Sequence, residues 1–211
     1  MRLALALVAL VIAPGVAPDV KKLILQPGQV GKGYVMSPAA GGSGVTGDRT
    51  MNLCGVDYSS ESLRVSRIQA NYFKRGQTLG LANEVVVAYR SGGARQAILE
   101  AFRHAASCPN RPVDSGVKGL PKLTFAITRF SAPHLLEGYL AVQIDASGTV
   151  KGRRIAQTSY AVYQRRGNVL SGVYSFGPTT RGQLALCLRA AEQSARNLRR
   201  GTSGATSAPT A

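Results

Sequence analysis

Two histidines, His104 and His134, are the side chains of this sequence best suited to act as a general base. Nucleophilic catalysis needs such a base beside a serine or cysteine. His104 falls on the polar side of a predicted helix, where we expect it to be solvated, and His134 follows Pro133 in a predicted loop. The sequence contains no GxSxG nucleophile elbow. These observations argue against hydrolase chemistry.

Pairs of acidic residues could also support hydrolysis or hold Ca²⁺. Asp57 and Glu61 lie close in sequence, and Glu137 and Asp145 fall on one face of a predicted strand. Neither pair has the spacing of a glycosidase or a calcium loop, so a solvated face is the preferred interpretation. A small secreted hydrolase using His134 or Asp57 and Glu61 is the alternative function. The sequence predicts no catalytic residue, cofactor or metal ligand.

The run Gly42–Gly47 matches the pattern GxGxxG. A phosphate-binding loop of this type needs a strand before it and a helix after it within a βαβ unit. Here the run lies in a Pro- and Gly-rich lead-in followed by antiparallel-type strands. We therefore interpret it as a loop.

The basic residues are the strongest functional signal. Lys and Arg number 26 against 10 Asp and Glu, giving a formal net charge of +16. A field of this sign attracts anions such as phosphate polymers, anionic lipids or nucleic acid. One surface of the predicted last helix carries four candidate anion contacts, Arg189, Arg196, Arg199 and Arg200. Further cations at Arg153 and Arg166 lie at opposite ends of one predicted strand and cannot form one patch.

The elements that must position these side chains are mostly strands. Alternating or Val-rich runs predict strands over residues 64–73, 81–89, 123–130, 136–144, 153–164 and 169–176, with a further edge strand at Leu23–Leu25. Apolar residues spaced three and four apart predict helices over residues 93–107 and 180–200. The order β-β-α-β-β-β-β-α predicts the α+β class: a twisted antiparallel β-sheet of about six strands with two helices packed on one face.

Three cysteines, Cys54, Cys108 and Cys187, allow one disulfide. Cys54 precedes the first long strand and Cys108 closes the first helix, so a Cys54–Cys108 bond is favoured. Cys187 falls on the apolar stripe of the last helix, where a lone cysteine is most often a small core residue. Pairings through Cys187, or no bond, stay open at this point.

The N-terminus is typical of an exported protein. Met1 and Arg2 precede the apolar run 3–13, which is too short to span a bilayer. Pro18 disfavours cleavage, so residues 1–18 are interpreted as a signal peptide or an uncleaved anchor, and the localisation as extracytoplasmic. Residues 22–200 are predicted to form a single domain. Residues 201–211 have a composition typical of a disordered tail.

Several stretches resemble the PknH-like extracellular sensor domain family of actinobacteria, found outside the membrane in a mycobacterial serine/threonine kinase and in stand-alone secreted relatives. The matching stretches are LQPGQVGKGYVMSP before MNLCG, VVVAYRSGGARQAILEAFRHAASC, YAVYQRRGNVLSGVYSFG and QLALCLRAAEQSARNLRR. The resemblance covers about residues 23–200. The kinase domain has two disulfides, whereas three cysteines here allow only one.

This resemblance implies an extracytoplasmic ligand-binding or sensor-like domain without catalysis, with its ligand between sheet and helices. The expected partner is a small ligand or an anionic polymer or lipid of the cell envelope, with association to a membrane surface as an option. A basic surface-adhesion module is a further alternative. Nucleic acid is disfavoured, because the chain carries an export signal and lacks an aromatic-basic RNA-binding motif. The sequence does not indicate an oligomeric state.

Overall fold

The computed structural model describes residues 18–46, 49, 53–74, 76, 81–114, 121–150, 152–177 and 180–202. All but the last residue of the predicted signal or anchor, and the tail beyond Thr202, lie outside these residues. The strands are β1 Tyr34–Pro38, β2 Arg64–Lys74, β3 Leu81–Tyr89, β4 Thr124–Arg129, β5 Leu140–Val150, β6 Arg153–Arg166 and β7 Val169–Phe176. The helices are α1 Pro27–Val30, α2 Gly93–Ala106 and α3 Thr180–Gly201, with 3-10 turns at Val20–Lys22 and Ser59–Leu63.

The strands form one antiparallel sheet in the order β1-β2-β3-β7-β6-β5-β4. The predicted α+β class is confirmed, with seven strands in the described residues instead of about six. Strands β4 to β7 form the predicted meander. The predicted strand at residue 136 begins only at Leu140, because the Leu136 N–H is directed to the Gln164 side chain, 3.4 Å away, and not to a neighbouring strand.

The two long helices lie on opposite faces of the sheet, so the prediction that both pack on one face is wrong. Successive residues of β3 alternate between two apolar clusters: Val85 and Val87 join the residues of α2, whereas Val86 and Ala88 join those of α3. Strands β5, β6 and β7 alternate in the same way. An unbroken apolar run such as residues 85–89 is typical of a strand buried on both faces, and it needs a helix on each.

The segment before α1 is part of the core. Leu23, Ile24 and Leu25 are almost completely buried and pack in the α3 cluster. They form no strand, so the predicted edge strand was wrong there; β1 occupies the edge instead. The segment fits closely against the end of α3, where a Cβ at Gly201 would lie 2.1 Å from Leu23 Cδ2.

The α2 face carries the disulfide. Cys54 and Cys108 are bonded with their Cα atoms 5.5 Å apart, which confirms the favoured pairing. The bond ties the segment before β2 to the residue two positions beyond the end of α2. Cys187 is free and buried in the α3 cluster, as predicted. Burial raises the pKa of its thiol to about 12.

Candidate functional site

Neither histidine lines the two depressions described below. His134 is exposed in the loop before β5. His104 is half-buried, which corrects the expectation that it is solvated: its ring meets the Tyr58 ring edge-on, with centroids 5.1 Å apart. Aromatic contacts of this kind are a common use of a partly buried ring.

The candidate carboxylates are held separately. Asp57 pairs with Arg49 at 2.7 Å, and Glu61 pairs with Arg64 at 2.8 Å. Asp145 accepts hydrogen bonds from Thr158 at 2.5 Å and from Gln143 at 2.8 Å. Asp57, Glu61 and Asp145 thus each have an oxygen held by a neighbouring side chain, and these contacts pair none of them with a histidine. This arrangement gives no support to the hydrolase alternative.

Three of the four predicted arginines gather at the C-terminal end of α3. Arg196, Arg199 and Arg200 are exposed within its last two turns. Arg199 Nη2 donates to the Leu135 carbonyl at 3.1 Å, and Arg196 Nε donates to Gln193 at 2.8 Å. Cations at this end of a helix also offset the negative end of its dipole.

Arg189 does not belong to this group. It lies eleven residues before Arg200, which corresponds to roughly 16 Å along a helix. Its charge acts on Tyr34 at the edge strand β1, although burial outweighs it and raises the pKa of that phenol. The Tyr34 ring also meets Lys74, whose Nζ is 5.3 Å from the ring centroid. The four arginines therefore form two separate sets.

A depression of about 290 Å³ lies between the end of α3 and the segment around α1. Two cations, Lys22 and Arg200, and the three carboxamides of Gln26, Gln29 and Asn197 line it together with Ile24 and Gly201. We call it the amide depression. The cations supply charge, and Gln26 and Gln29 each retain one side-chain N–H as a directed donor, whereas both Asn197 N–H groups are used within the protein. Such a lining suits an anion.

Hydrogen bonds hold the floor of the amide depression. The Asn197 and Gln29 carboxamides bond to each other in both directions, at 3.1 and 3.2 Å. Asn197 Nδ2 also donates to the Leu23 carbonyl at 3.2 Å. Arg200 Nη2 donates to Asn197 Oδ1 at 3.0 Å, so the guanidinium is positioned at the rim. Lys22 makes only a long, exposed contact of 3.9 Å with Asp19, which leaves its charge available.

The turn between β6 and β7 carries two more cations, of which Arg166 reaches the end of α3. Arg166 Nε donates to the Thr202 hydroxyl at 2.9 Å. Arg165 packs on the other side of the turn against Gly138, where its Nε would lie 3.5 Å from a Cβ. We call Arg165 and Arg166 the basic turn. The sequence placed these residues at a strand end but gave no signal that α3 ends beside them.

A second depression, of about 340 Å³, lies at the same end of the sheet beyond Gly138. Its lining combines aromatic rings with one cation: Phe102, Arg129, Phe130, Ser131, Tyr139, Leu140 and Ala141. We call it the aromatic depression. The aromatic depression lies where Phe102 of helix α2 meets Arg129 of β4 and Leu140 of β5, so it is a position between sheet and helix of the kind expected for the ligand. Elsewhere the two apolar clusters fill the sheet–helix interfaces.

One buried acid, Glu84, lies in the centre of the α3 face. It is completely buried, and its carboxylate accepts from the Leu25 backbone N–H at 2.6 Å and from the Ser171 hydroxyl at 3.0 Å. Tyr72 bonds the Leu25 carbonyl at 2.7 Å. Burial raises the pKa of Glu84 to about 7, although these hydrogen bonds oppose the shift. Glu84 thus fastens the N-terminal segment to the sheet and does not face a depression.

Within the ranges that the structure describes, no three His, Cys, Asp or Glu side chains are grouped to hold a metal. No helix within those same ranges combines the length and the apolar character needed to cross a membrane.

The fold is similar to a solved structure, the extracellular domain of PknH from Mycobacterium tuberculosis. The two share 12% sequence identity with a TM-score of 0.54, over 83% of this chain and 94% of that domain. This likeness shows the fold alone, and it agrees with the resemblance seen in the sequence. No protein-family model matches the chain. No curated protein matches it either.

Proposed function

We propose that this protein is a non-catalytic, extracytoplasmic ligand-binding domain that binds an anionic component of the cell envelope in the amide depression. The observation that carries the proposal is the convergence of Lys22 and Arg200 with three carboxamides in one depression. The hydrogen bonds of Asn197 hold the Gln29 and Arg200 side chains in place before any ligand binds. Preorganised donors lose little entropy when they bind.

Two further observations support the extracytoplasmic part of the proposal. The Cys54–Cys108 disulfide is typical of proteins that fold in an oxidising compartment. The fold is similar to the extracellular domain of PknH. Asp57 and Glu61 are paired with arginines, and Asp145 is bonded to Thr158 and Gln143. This supports the non-catalytic part, because an acid–base mechanism needs its groups directed at one substrate.

The test uses inorganic tripolyphosphate as the probe and isothermal titration calorimetry at low salt. We expect the wild-type protein to bind it, and the double variant Lys22→Gln/Arg200→Gln to bind about tenfold more weakly, because charge-assisted contacts are lost. Raising the salt concentration should weaken wild-type binding.

The matched control is Arg153→Gln/Arg154→Gln, which removes two exposed cations from the opposite end of β6. It changes the net charge by the same amount and should leave the affinity within about twofold. Equal losses in the two double variants would mean that the probe senses only the overall charge. That result, or no binding by the wild-type protein, would rule out the amide depression as the site.

A further inference from the structure

The basic turn lies between the two depressions and links them. On one side Arg166 bonds Thr202, two residues beyond Arg200 of the amide depression. On the other side Arg165 packs against Gly138, the residue before Tyr139 of the aromatic depression. These contacts make a continuous band that runs from the amide depression, across the basic turn, to Arg129.

The band follows the order of the strands. The segment carrying Lys22 packs near β2 and β3, the basic turn ends β6, and Arg129 ends β4. Four inter-strand steps separate β3 from β4 in the sheet. At about 4.8 Å a step, the band extends over roughly 20 Å. One phosphate group or one small headgroup is too small to contact cations that are spread over this length.

Two acidic residues, Asp19 and Glu137, lie close to the band. Asp19 makes the long, exposed contact with Lys22, and Glu137 is exposed beside Gly138. Neither lines either depression. Four cations of the band, Lys22, Arg166, Arg165 and Arg129, thus follow one another along the end of the sheet.

We infer that the ligand of this end is a linear, phosphate-rich polyanion. It lies along the band, with one stretch in the amide depression and another in the aromatic depression beside Arg129. This inference rests on the proposed function and adds the class of ligand and a second subsite. A chain-like ligand can meet cations in succession, and each contact releases counterions.

A polymer fits this surface better than a membrane does. Peripheral proteins that enter an interface use exposed apolar side chains in addition to their cations. The large apolar residues exposed in the described ranges are Met36, Val65 and Leu99, and none of them lines either depression or belongs to the basic turn.

The experiment compares long-chain inorganic polyphosphate with tripolyphosphate on the full chain. We expect the wild-type protein to bind the long chain more tightly at equal phosphate concentration. The variant Arg165→Gln/Arg166→Gln should lose about tenfold in affinity for the long chain and keep its affinity for tripolyphosphate within about twofold. The salt dependence of long-chain binding should become shallower, because fewer counterions are released.

The control is again Arg153→Gln/Arg154→Gln, which removes the same charge from the far end of the same strand. Arg166→Gln alone replaces the double variant if the half-buried Arg165 proves necessary for folding. Equal affinity for the two probes, or equal losses in the two double variants, would overturn the polyanion inference and leave the amide depression as a site for a small anion. Failure of tripolyphosphate and long-chain polyphosphate alike would end both proposals.

Vesicles containing phosphatidylglycerol form the last arm. Tighter binding to these vesicles than to long-chain polyphosphate, lost in Arg165→Gln/Arg166→Gln, would overturn the inference in favour of a membrane surface. Weaker binding to the vesicles would support it.

Discussion

The two faces of the sheet are secured by different chemistry. On the α2 face a covalent bond, Cys54–Cys108, ties the segment before β2 to the end of the helix. On the α3 face the N-terminal segment is tied down by hydrogen bonds to buried polar groups, above all Glu84. A disulfide limits the unfolded chain, whereas a buried carboxyl acts on the folded state. The stability contributed by the α2 face should therefore depend on reductant, and the stability contributed by the α3 face should depend on pH.

The largest expected effect is the loss of the disulfide. It closes a loop over a sequence separation of 54 residues. Replacing both cysteines by serine should lower the free energy of unfolding by about 4 kcal/mol, measured by urea denaturation. The loss should be similar at pH 5 and pH 8. Reductant should destabilise the wild-type protein and have no further effect on the double variant; resistance of the wild-type protein would contradict this account.

The next effect is the pH dependence that Glu84 imposes. Its pKa rises from 4.5 to about 7 on folding, so the folded state holds a proton that the unfolded state releases. The contribution of Glu84 to the free energy of unfolding is full below pH 4.5 and decreases by about 3 kcal/mol as the pH rises to 7. The difference in stability between wild type and Glu84→Gln should therefore change over this window, because the amide does not titrate. A pH-independent difference would show that folding does not raise the pKa of Glu84.

A smaller effect is expected from Ser171→Ala, which removes a donor to Glu84. Donation to an ionised carboxylate is the stronger interaction, so the variant should lose about 2 kcal/mol at pH 8 and about 1 kcal/mol at pH 5. Ser175→Ala is the matched control. Ser175 lies four residues along β7, is equally buried and donates to the Gln183 carbonyl at 2.8 Å, so its loss should not depend on pH. Identical pH profiles for the two variants would show that the contribution of Ser171 does not depend on the ionisation of Glu84.

Much of the fold could be predicted from sequence, because strand alternation, helical stripes and short turns are local signals. The side of the sheet on which each helix packs is not local. The run Val85–Tyr89 carried the information that both faces are buried, but it could be used only together with the number of helices. Strand β1 was missed because five residues ending in proline resemble a loop, and proline is tolerated at a sheet edge.

The candidate site was less predictable. The helical spacing of Arg196, Arg199 and Arg200 placed them on one surface, and they do share the end of α3. Arg189 has the same spacing but lies too far along the helix. Gln29 and Asn197 are separated by 168 residues, and their pairing depends on how the N-terminal segment docks on α3. No local pattern encodes that contact, or the meeting of Arg166 with Thr202.

The docking of Leu23–Leu25 on α3 has a consequence for the order of folding. Leu23 and Asn197 are in contact across 174 residues, so nearly the whole chain must be present before this part of the core can close. Contacts of such separation carry a high loop-closure entropy and form late. In a domain built in this way, the segment Leu23–Leu25 has to wait for helix α3, and one side of the sheet stays uncovered until the last helix has been made.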